Sequence, residues 1–282
     1  MNYQECNFNE KLISPLLFIS DPPARLWYRG AIPEPVFDGG VAAIVGSRRA
    51  TKYGEQIAYK LAYDLAKMGI IVVSWLAYGI DACAHRGCLD AGGVTVAVLG
   101  TPIDQIYPRS NSGLAERILE KGAIISEYPV GHETRAYHFL ERNRIVTGLA
   151  KAVVVVEASA RSGTMTTASY ANEQGRELYV VPGDINRPMS RGCNNMLQYA
   201  HAYVDFDSFI RDVFGIKAQT CAIAKLSTEQ SEIVRLIREG ACDGEEIARA
   251  LGMDTASFNR NMTTLELKGV VRALGANQWT FI

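Results

Sequence analysis

Val41-Ala42-Ala43-Ile44-Val45-Gly46-Ser47-Arg48-Arg49 is the stretch on which the fold turns. Five apolar residues without a polar interruption suit a strand covered on both faces, as in the interior of a parallel sheet. A glycine and a small hydroxyl follow at once. From Tyr53 to Met68 the chain then places Ile57, Leu61 and Leu65 four residues apart, on one helical face. Strand, tight loop and amphipathic helix form half of a βαβ unit. Ile70 to Val73, Thr95 to Leu99, Ile124 to Ser126, Val153 to Glu157 and Leu178 to Val181 read as further buried strands. Asp81 to Ala91, Asn111 to Lys121, Phe139 to Ala150 and Thr164 to Gln174 read as helices between them.

This alternation predicts an α/β fold, a Rossmann-like, doubly wound and mostly parallel sheet over residues 41–215. Residues 1–40 form a lead-in segment expected to pack on the sheet, with Asp21-Pro22-Pro23 and Ile32-Pro33-Glu34-Pro35 as extended or turn pieces. Residues 216–226 lack a period and read as a linker. The pattern changes over 227–282. Ser227-Thr228-Glu229-Gln230 and Asp243-Gly244-Glu245-Glu246 are capping boxes opening two helices, and a third carries Phe258, Met262 and Leu265. Two short strands, Val270 to Ala273 and Gln278 to Ile282, flank Gly275-Ala276-Asn277. Three helices and a terminal hairpin predict a small C-terminal winged-helix domain.

Composition bounds the chemistry. The 282 residues are 48% hydrophobic and 21% charged, with a net charge of -1. That excludes a uniformly basic nucleic-acid coat, so a polyanion site must be a local patch. The residues Met1 to Asn9 are polar and contain no targeting pattern, and no apolar run is long enough to span a membrane. The six cysteines make no CxxC pair. Cys83 and Cys88 flank His85 without a fourth ligand, so no metal is expected, and the thiols read as buried cytosolic cysteines.

In doubly wound sheets, ligands sit beyond the carboxyl ends of the strands. Gly46, Ser47 and Arg48 follow the first strand and lack the GxGxxG pattern of a dinucleotide site, so no cofactor is expected. Their amides, hydroxyl and guanidinium suit a phosphate instead. After the second strand, Asp81 can cap its helix, and His85 lies one turn beyond it. An acid–base pair is conceivable there, with structural hydrogen bonds the better reading. Ser162, Gly163 and Thr164 open a helix as an anion nest that lacks the lysine of a P-loop. Glu157, at a strand end, is expected to hold arginines in place. Arg142-Asn143-Arg144 follow Phe139, a pairing of guanidinium and ring that suits single strands. Arg48, Arg49, Arg109, Arg142, Arg144, Arg161, Arg187 and Arg191 together predict a cationic rim.

Several motifs resemble the bacterial DNA-processing (DprA/Smf) family. They include Leu26-Trp27-Tyr28-Arg29-Gly30, Val45-Gly46-Ser47-Arg48, Gly79-Ile80-Asp81 with Ala84-His85, and Tyr107-Pro108. Ser126-Glu127-Tyr128-Pro129, Phe139 with Arg142-Asn143-Arg144, Ser162-Gly163-Thr164, Pro182-Gly183 and Gly192 with Asn194-Asn195 continue the match in order. The resemblance spans about Leu16 to Phe209. It implies a cytoplasmic, homodimeric protein without catalytic activity. That protein would bind single-stranded DNA and load the RecA recombinase on incoming DNA in natural transformation. It also implies that Ser47 and Arg48 meet phosphates, with Phe139, Arg142, Arg144, Ser162, Gly163 and Thr164 at the pocket. Gly192 and Asn194 join them as expected DNA-binding residues. Trp75, Tyr78 and Leu140 stand where the family usually has glycine, arginine and proline. Trp75 is therefore expected to stack on a base or to narrow the site.

Two other functions fit parts of the sequence. Ser162-Gly163-Thr164 with Glu157 partly echoes a nucleotide-cleaving hydrolase on a related sheet. The winged helix alone suggests a transcription regulator, although its third helix offers one strong base, Arg260, and an opposing Glu266.

Overall fold

The computed structural model describes residues 3–37, 39–216, 226–267, 270–275 and 277–281. Most of the expected linker, at 217–225, lies outside the described residues, as does Ala276 of the hairpin turn. The chain divides into two compact units, Met1–Lys217 and Ala218–Ile282.

The first unit runs through β1 (Gln4–Glu5), β2 (Trp27–Gly30), β3 (Val41–Val45), α1 (Lys52–Lys67), β4 (Ile71–Trp75) and α2 (Ile80–Asp90). It continues with β5 (Thr95–Leu99), α3 (Ser112–Leu119), β6 (Ala123–Ser126), α4 (His138–Glu141), α5 (Asn143–Leu149) and β7 (Ala152–Val155). Then come α6 (Gly163–Glu173), β8 (Glu177–Val180), α7 (Arg191–Met196), β9 (His201–Ala202) and α8 (Phe206–Phe214). The strands form one sheet in the order β1-β2-β6-β5-β4-β3-β7-β8-β9. All neighbours from β6 to β9 are parallel, while β1 and β2 are antiparallel additions at one edge. The chain winds outward from β3 to β6, then crosses back to β7 on the other side of β3. The two directions part between β3 and β7, and there the loops leaving the strands open a crevice.

Period-two alternation sorts the central strands onto two cores. Val41, Ala43 and Val45 face one with Ile145, Val146, Ala168 and Ala171 of α5 and α6. Ala42 and Ile44 face the other with Leu61, Leu65, Ile80, Ala84 and Phe209 of α1, α2 and α8. The lead-in belongs to the first core: Leu12, Ile13, Leu16 and Leu26 are fully buried in it. It also supplies β1 and β2, which the sequence reading had not foreseen. Both are short, and Gln4, Glu5 and Arg29 leave them without an apolar run to notice. The expected helix from Phe139 to Ala150 is two pieces, α4 and α5, parted at Arg142, whose side chain turns inward.

The second unit contains α9 (Thr228–Arg238), α10 (Gly244–Ala250), α11 (Thr255–Leu267) and the antiparallel pair β10 (Val271–Gly275) and β11 (Gln278–Phe281). Ser227 and Gln230 close a capping box at α9. Asp243 caps α10 by accepting from the Glu245 and Glu246 amides, without a reciprocal bond from Glu246. Ile233, Ile237, Ile247, Phe258, Met262 and Leu265 fill its core. This is a winged-helix arrangement.

Candidate nucleic-acid interface

The loop after β3 is fixed from below. The Ser47 amide donates to the Glu157 carbonyl at 2.8 Å, and the Ile80 amide donates to the Ser47 carbonyl at 3.3 Å. Gly79, at φ +72°, lets the loop after β4 pass underneath, since a Cβ there would lie 2.3 Å from the Ser47 carbonyl oxygen. Ser47 accepts from the Arg49 amide at 3.0 Å, so its side chain shapes its own turn. Arg48 and Arg49 project into solvent. Glu157 does not hold arginines, contrary to expectation. It is 4% exposed and accepts from the Thr51 amide and hydroxyl, fastening the turn where Thr51 caps α1. Its partner, Thr51, lies 106 residues away in the chain, which spacing could not show.

The loop after β7 leads into α6. Ser162 is the residue before the helix, and its hydroxyl is buried without a hydrogen-bond partner. Gly163 is exposed and Thr164 buried. The first amides of a helix have no intrahelical acceptor, so they face the crevice as donors. Gly192 closes this loop against α7: its amide donates to the Ala158 carbonyl at 2.8 Å, and a Cβ would sit 2.7 Å from that oxygen. Asn194 pairs with both backbone groups of Gly183, at 2.9 and 3.1 Å. Gly192 and Asn194 thus brace the crevice wall.

The arginines separate into two populations. Arg48, Arg49, Arg109, Arg161 and Arg191 are exposed and make no ion pair among the described residues. Arg187 is exposed but bound to Asp184 at 2.7 Å. Arg142 and Arg144 are buried, at 4% and 6% exposure, so neither offers a free fork as the sequence reading had expected. Arg144 is held bidentately by Glu127 at 2.7 and 2.8 Å and by Asp21 at 2.7 Å. Burial opposes its charge, and the two carboxylates more than offset this, raising its pKa. Asn143 is also buried and reaches the Gly163 carbonyl at 3.4 Å, tying α5 to the nest.

Arg142 donates to the Val98 carbonyl at 2.5 Å and lies 4.9 Å over the Trp75 ring. Trp75 is only 6% exposed and packs in the core beneath that guanidinium. The guanidinium covers its ring, which is not open to solvent. Phe139 sits above, half-buried, 5.9 Å from Arg142 and 5.8 Å from Arg48. Tyr107 continues the aromatic surface, 5.4 Å from Phe139 between ring centres and 53% exposed. Its role was not read from the sequence, because a lone tyrosine before a proline carries no spacing signal.

Asp81 and His85 are both fully buried. His85 bonds the Thr95 hydroxyl at 2.7 Å and the Trp75 carbonyl at 2.8 Å, and burial lowers its pKa to about 4. Asp81 does not cap α2, which has no side-chain cap. Its carboxyl makes no well-formed hydrogen bond, and burial raises its pKa to about 7, although Arg142 and Arg48 pull the other way. Burial likewise lowers the pKa of Arg142 to about 9. The folded carboxyl therefore titrates above its unfolded value of 3.8. The stability it contributes is complete below the unfolded value and is lost as pH rises through about 7. Asp81→Asn, which cannot ionise, should gain on the parent by about 4 kcal/mol between pH about 4 and about 8 in paired urea titrations. A difference that stays constant with pH would show that Asp81 does not ionise in that range.

In the second unit, Asn261 of α11 is bound by Glu229 at 2.9 Å and Gln230 at 3.3 Å. Glu266 accepts from the Ala273 amide at 3.4 Å. Among the described residues, no helix is long and apolar enough to cross a membrane, and no three His, Cys, Asp or Glu side chains are grouped to hold a metal ion.

The family model of DNA recombination-mediator protein A matches residues 4–213, which is most of the chain. The chain belongs to the DNA recombination-mediator protein A family. The model of the DprA winged-helix domain matches residues 217–277 of this family member. A putative DNA processing protein DprA of Mycobacterium tuberculosis is 37% identical over 257 residues, covering 88% of this chain and 66% of that protein. The match thus spans just under two thirds of that relative's length. Two solved structures of DNA processing protein A are similar. The Streptococcus pneumoniae protein superposes with a TM-score of 0.64 at 34% identity, covering 72% of this chain and 71% of that one. The Helicobacter pylori protein, described in its single-stranded DNA binding mode, gives a TM-score of 0.67 at 30% identity over 76% of this chain and 97% of that one.

Proposed function

We propose that this chain binds single-stranded DNA across the crevice between β3 and β7 and acts there as a recombination mediator. The unpaired, exposed Arg48, Arg49 and Arg161 beside the half-buried ring of Phe139 carry this reading. Guanidinium groups meet phosphates, and a ring face accepts any unstacked base. The amides opening α6, with Ser162, Gly163 and Thr164, add a neutral anion nest. The DNA-binding domain is residues 41–215, joined through 216–226 to the winged helix at 227–282. The Helicobacter pylori relative lends the polymer its identity, since its structure concerns single-stranded DNA. On this reading the protein works in the cytoplasm as a homodimer and loads RecA on strands taken up in natural transformation. It acts by binding and not by catalysis: Glu157, the carboxylate of the loop that leads to the nest, accepts from Thr51 with both oxygens.

Full-length protein titrated with labelled oligothymidylate and with duplex of equal length tests this. The single strand should bind tighter, and Phe139→Ala should lower its affinity about 10-fold to 100-fold through lost stacking. Equal affinity for both forms, or no effect of Phe139→Ala, would remove the single-strand reading.

A further inference from the structure

Phe139 belongs to α4, a helix of a single turn. So short a helix has little stability of its own, and the ring it carries is placed by what packs against it. Gly100, after β5, lets the turn close on the strand end: a Cβ there would lie 3.0 Å from both Cα and Cδ1 of Phe139. Arg142 follows three residues later, on the same helical face. Its guanidinium lies 5.9 Å from the Phe139 ring centre and 4.9 Å from that of Trp75, so one cation serves both rings. Burial lowers its pKa to about 9, which leaves it a cation at neutral pH. A hydrogen bond to the Val98 carbonyl anchors it, while its Nε and the Nε1 of Trp75 are buried without a hydrogen-bond partner. A guanidinium held at one nitrogen is free to tilt. The flat indole of Trp75 removes that freedom, and a contact between cation and ring is strongest out of water.

We propose that Trp75 is a positioning residue for strand binding: acting through Arg142, it holds the Phe139 ring where a base stacks. The inference rests on the single-strand reading above. The contacts run outward from the end of β4 as indole, guanidinium, phenyl ring and base. Trp75, at 6% exposure, does not itself meet the strand. Without the indole, Arg142 keeps its bond to Val98 and loses the surface that fixes its plane. The Phe139 ring then samples several orientations, and a base that stacks on it must order it first, which weakens binding. Arg48 leaves a different loop, so its phosphate contact is kept.

The test titrates full-length protein with labelled oligothymidylate. Trp75→Leu should weaken binding about fivefold and leave its salt dependence unchanged, and Trp75→Phe, which keeps a ring under the guanidinium, should restore affinity to within about twofold of the parent. In a Phe139→Ala background, Trp75→Leu should cost less than about twofold, because the ring it positions is gone. Equal losses in both backgrounds would mean that Trp75 serves the fold at large and would overturn the proposal. So would an unweakened Trp75→Leu, or one with a flattened salt slope. A measurement on the parent decides the matter even if Trp75→Leu folds poorly. The protein is labelled with 5-fluorotryptophan, and the Trp75 signal is the one that survives Trp27→Phe and Trp279→Phe, since the sequence holds three tryptophans. That fluorine resonance should shift when the strand saturates the protein, and a resonance that stays in place would overturn the proposal. Failure of the parent to bind the strand at all would instead remove the single-strand reading on which the proposal rests.

Discussion

Arg144→Ala is expected to cost about 3 kcal/mol of folding stability and to leave the salt dependence of DNA binding unchanged. The arginine joins three parts of the first unit: Asp21 of the lead-in, Glu127 after β6, and its own helix α5. Removing it strands Glu127, whose side chain is only 19% exposed. Breaking a buried pair by deleting one partner typically costs about 3–5 kcal/mol. The lower end applies because Asp21 is 75% exposed and stays hydrated when released. For a unit of this size that corresponds to a melting temperature lowered by roughly 6–12 °C. Thermal unfolding and a salt titration of binding on the same variant check both halves. A stable variant with a flattened salt slope would mean that Arg144 faces phosphate after all.

The opposite signature is expected from Arg48, Arg49 and Arg161. Replacing all three with alanine should leave melting almost unchanged, since none makes an ion pair among the described residues. Each phosphate lost should flatten the plot of log affinity against log salt by about 0.7, so the triple variant should lose about 2 from its slope. At about 0.1 M salt a slope change of that size amounts to roughly a 100-fold loss of affinity. A slope within experimental error of the parent would place the strand elsewhere.

The two variants also show what the sequence could and could not reveal. The uninterrupted apolar run at Val41–Val45 and its repeats made the parallel sheet legible, because a strand buried on both faces has no polar residue to hide it. The capping box at Ser227 announced the second unit in the same way. Edge strands β1 and β2 escaped because an edge needs no such run. At the site, the loops were legible as strand ends, and Arg48 and Phe139 do lie together. Which arginines are free was not legible. Arg142 and Arg144 differ from Arg48 only in partners contributed by Val98, Trp75, Asp21 and Glu127, all of them distant in the chain. Trp75 escaped for the same reason, since a ring at a strand end looks accessible until a cation is found lying on it.

The unpaired arginines along the edge of the crevice have a consequence for how a strand is met. The whole chain carries a net charge of -1, so the residues away from that edge must carry the compensating negative charge. Such a molecule has little monopole and a substantial dipole. Beyond a Debye length of about 8 Å in physiological salt, a polyanion feels almost nothing from it. Within that distance, the torque on the dipole turns the cationic edge toward the phosphates and the acidic remainder away. Encounters are therefore selected by orientation more than by attraction from afar. The association rate should then respond to salt less steeply than it would for a uniformly basic protein with the same number of contacts, and much of the salt dependence should appear in the dissociation rate.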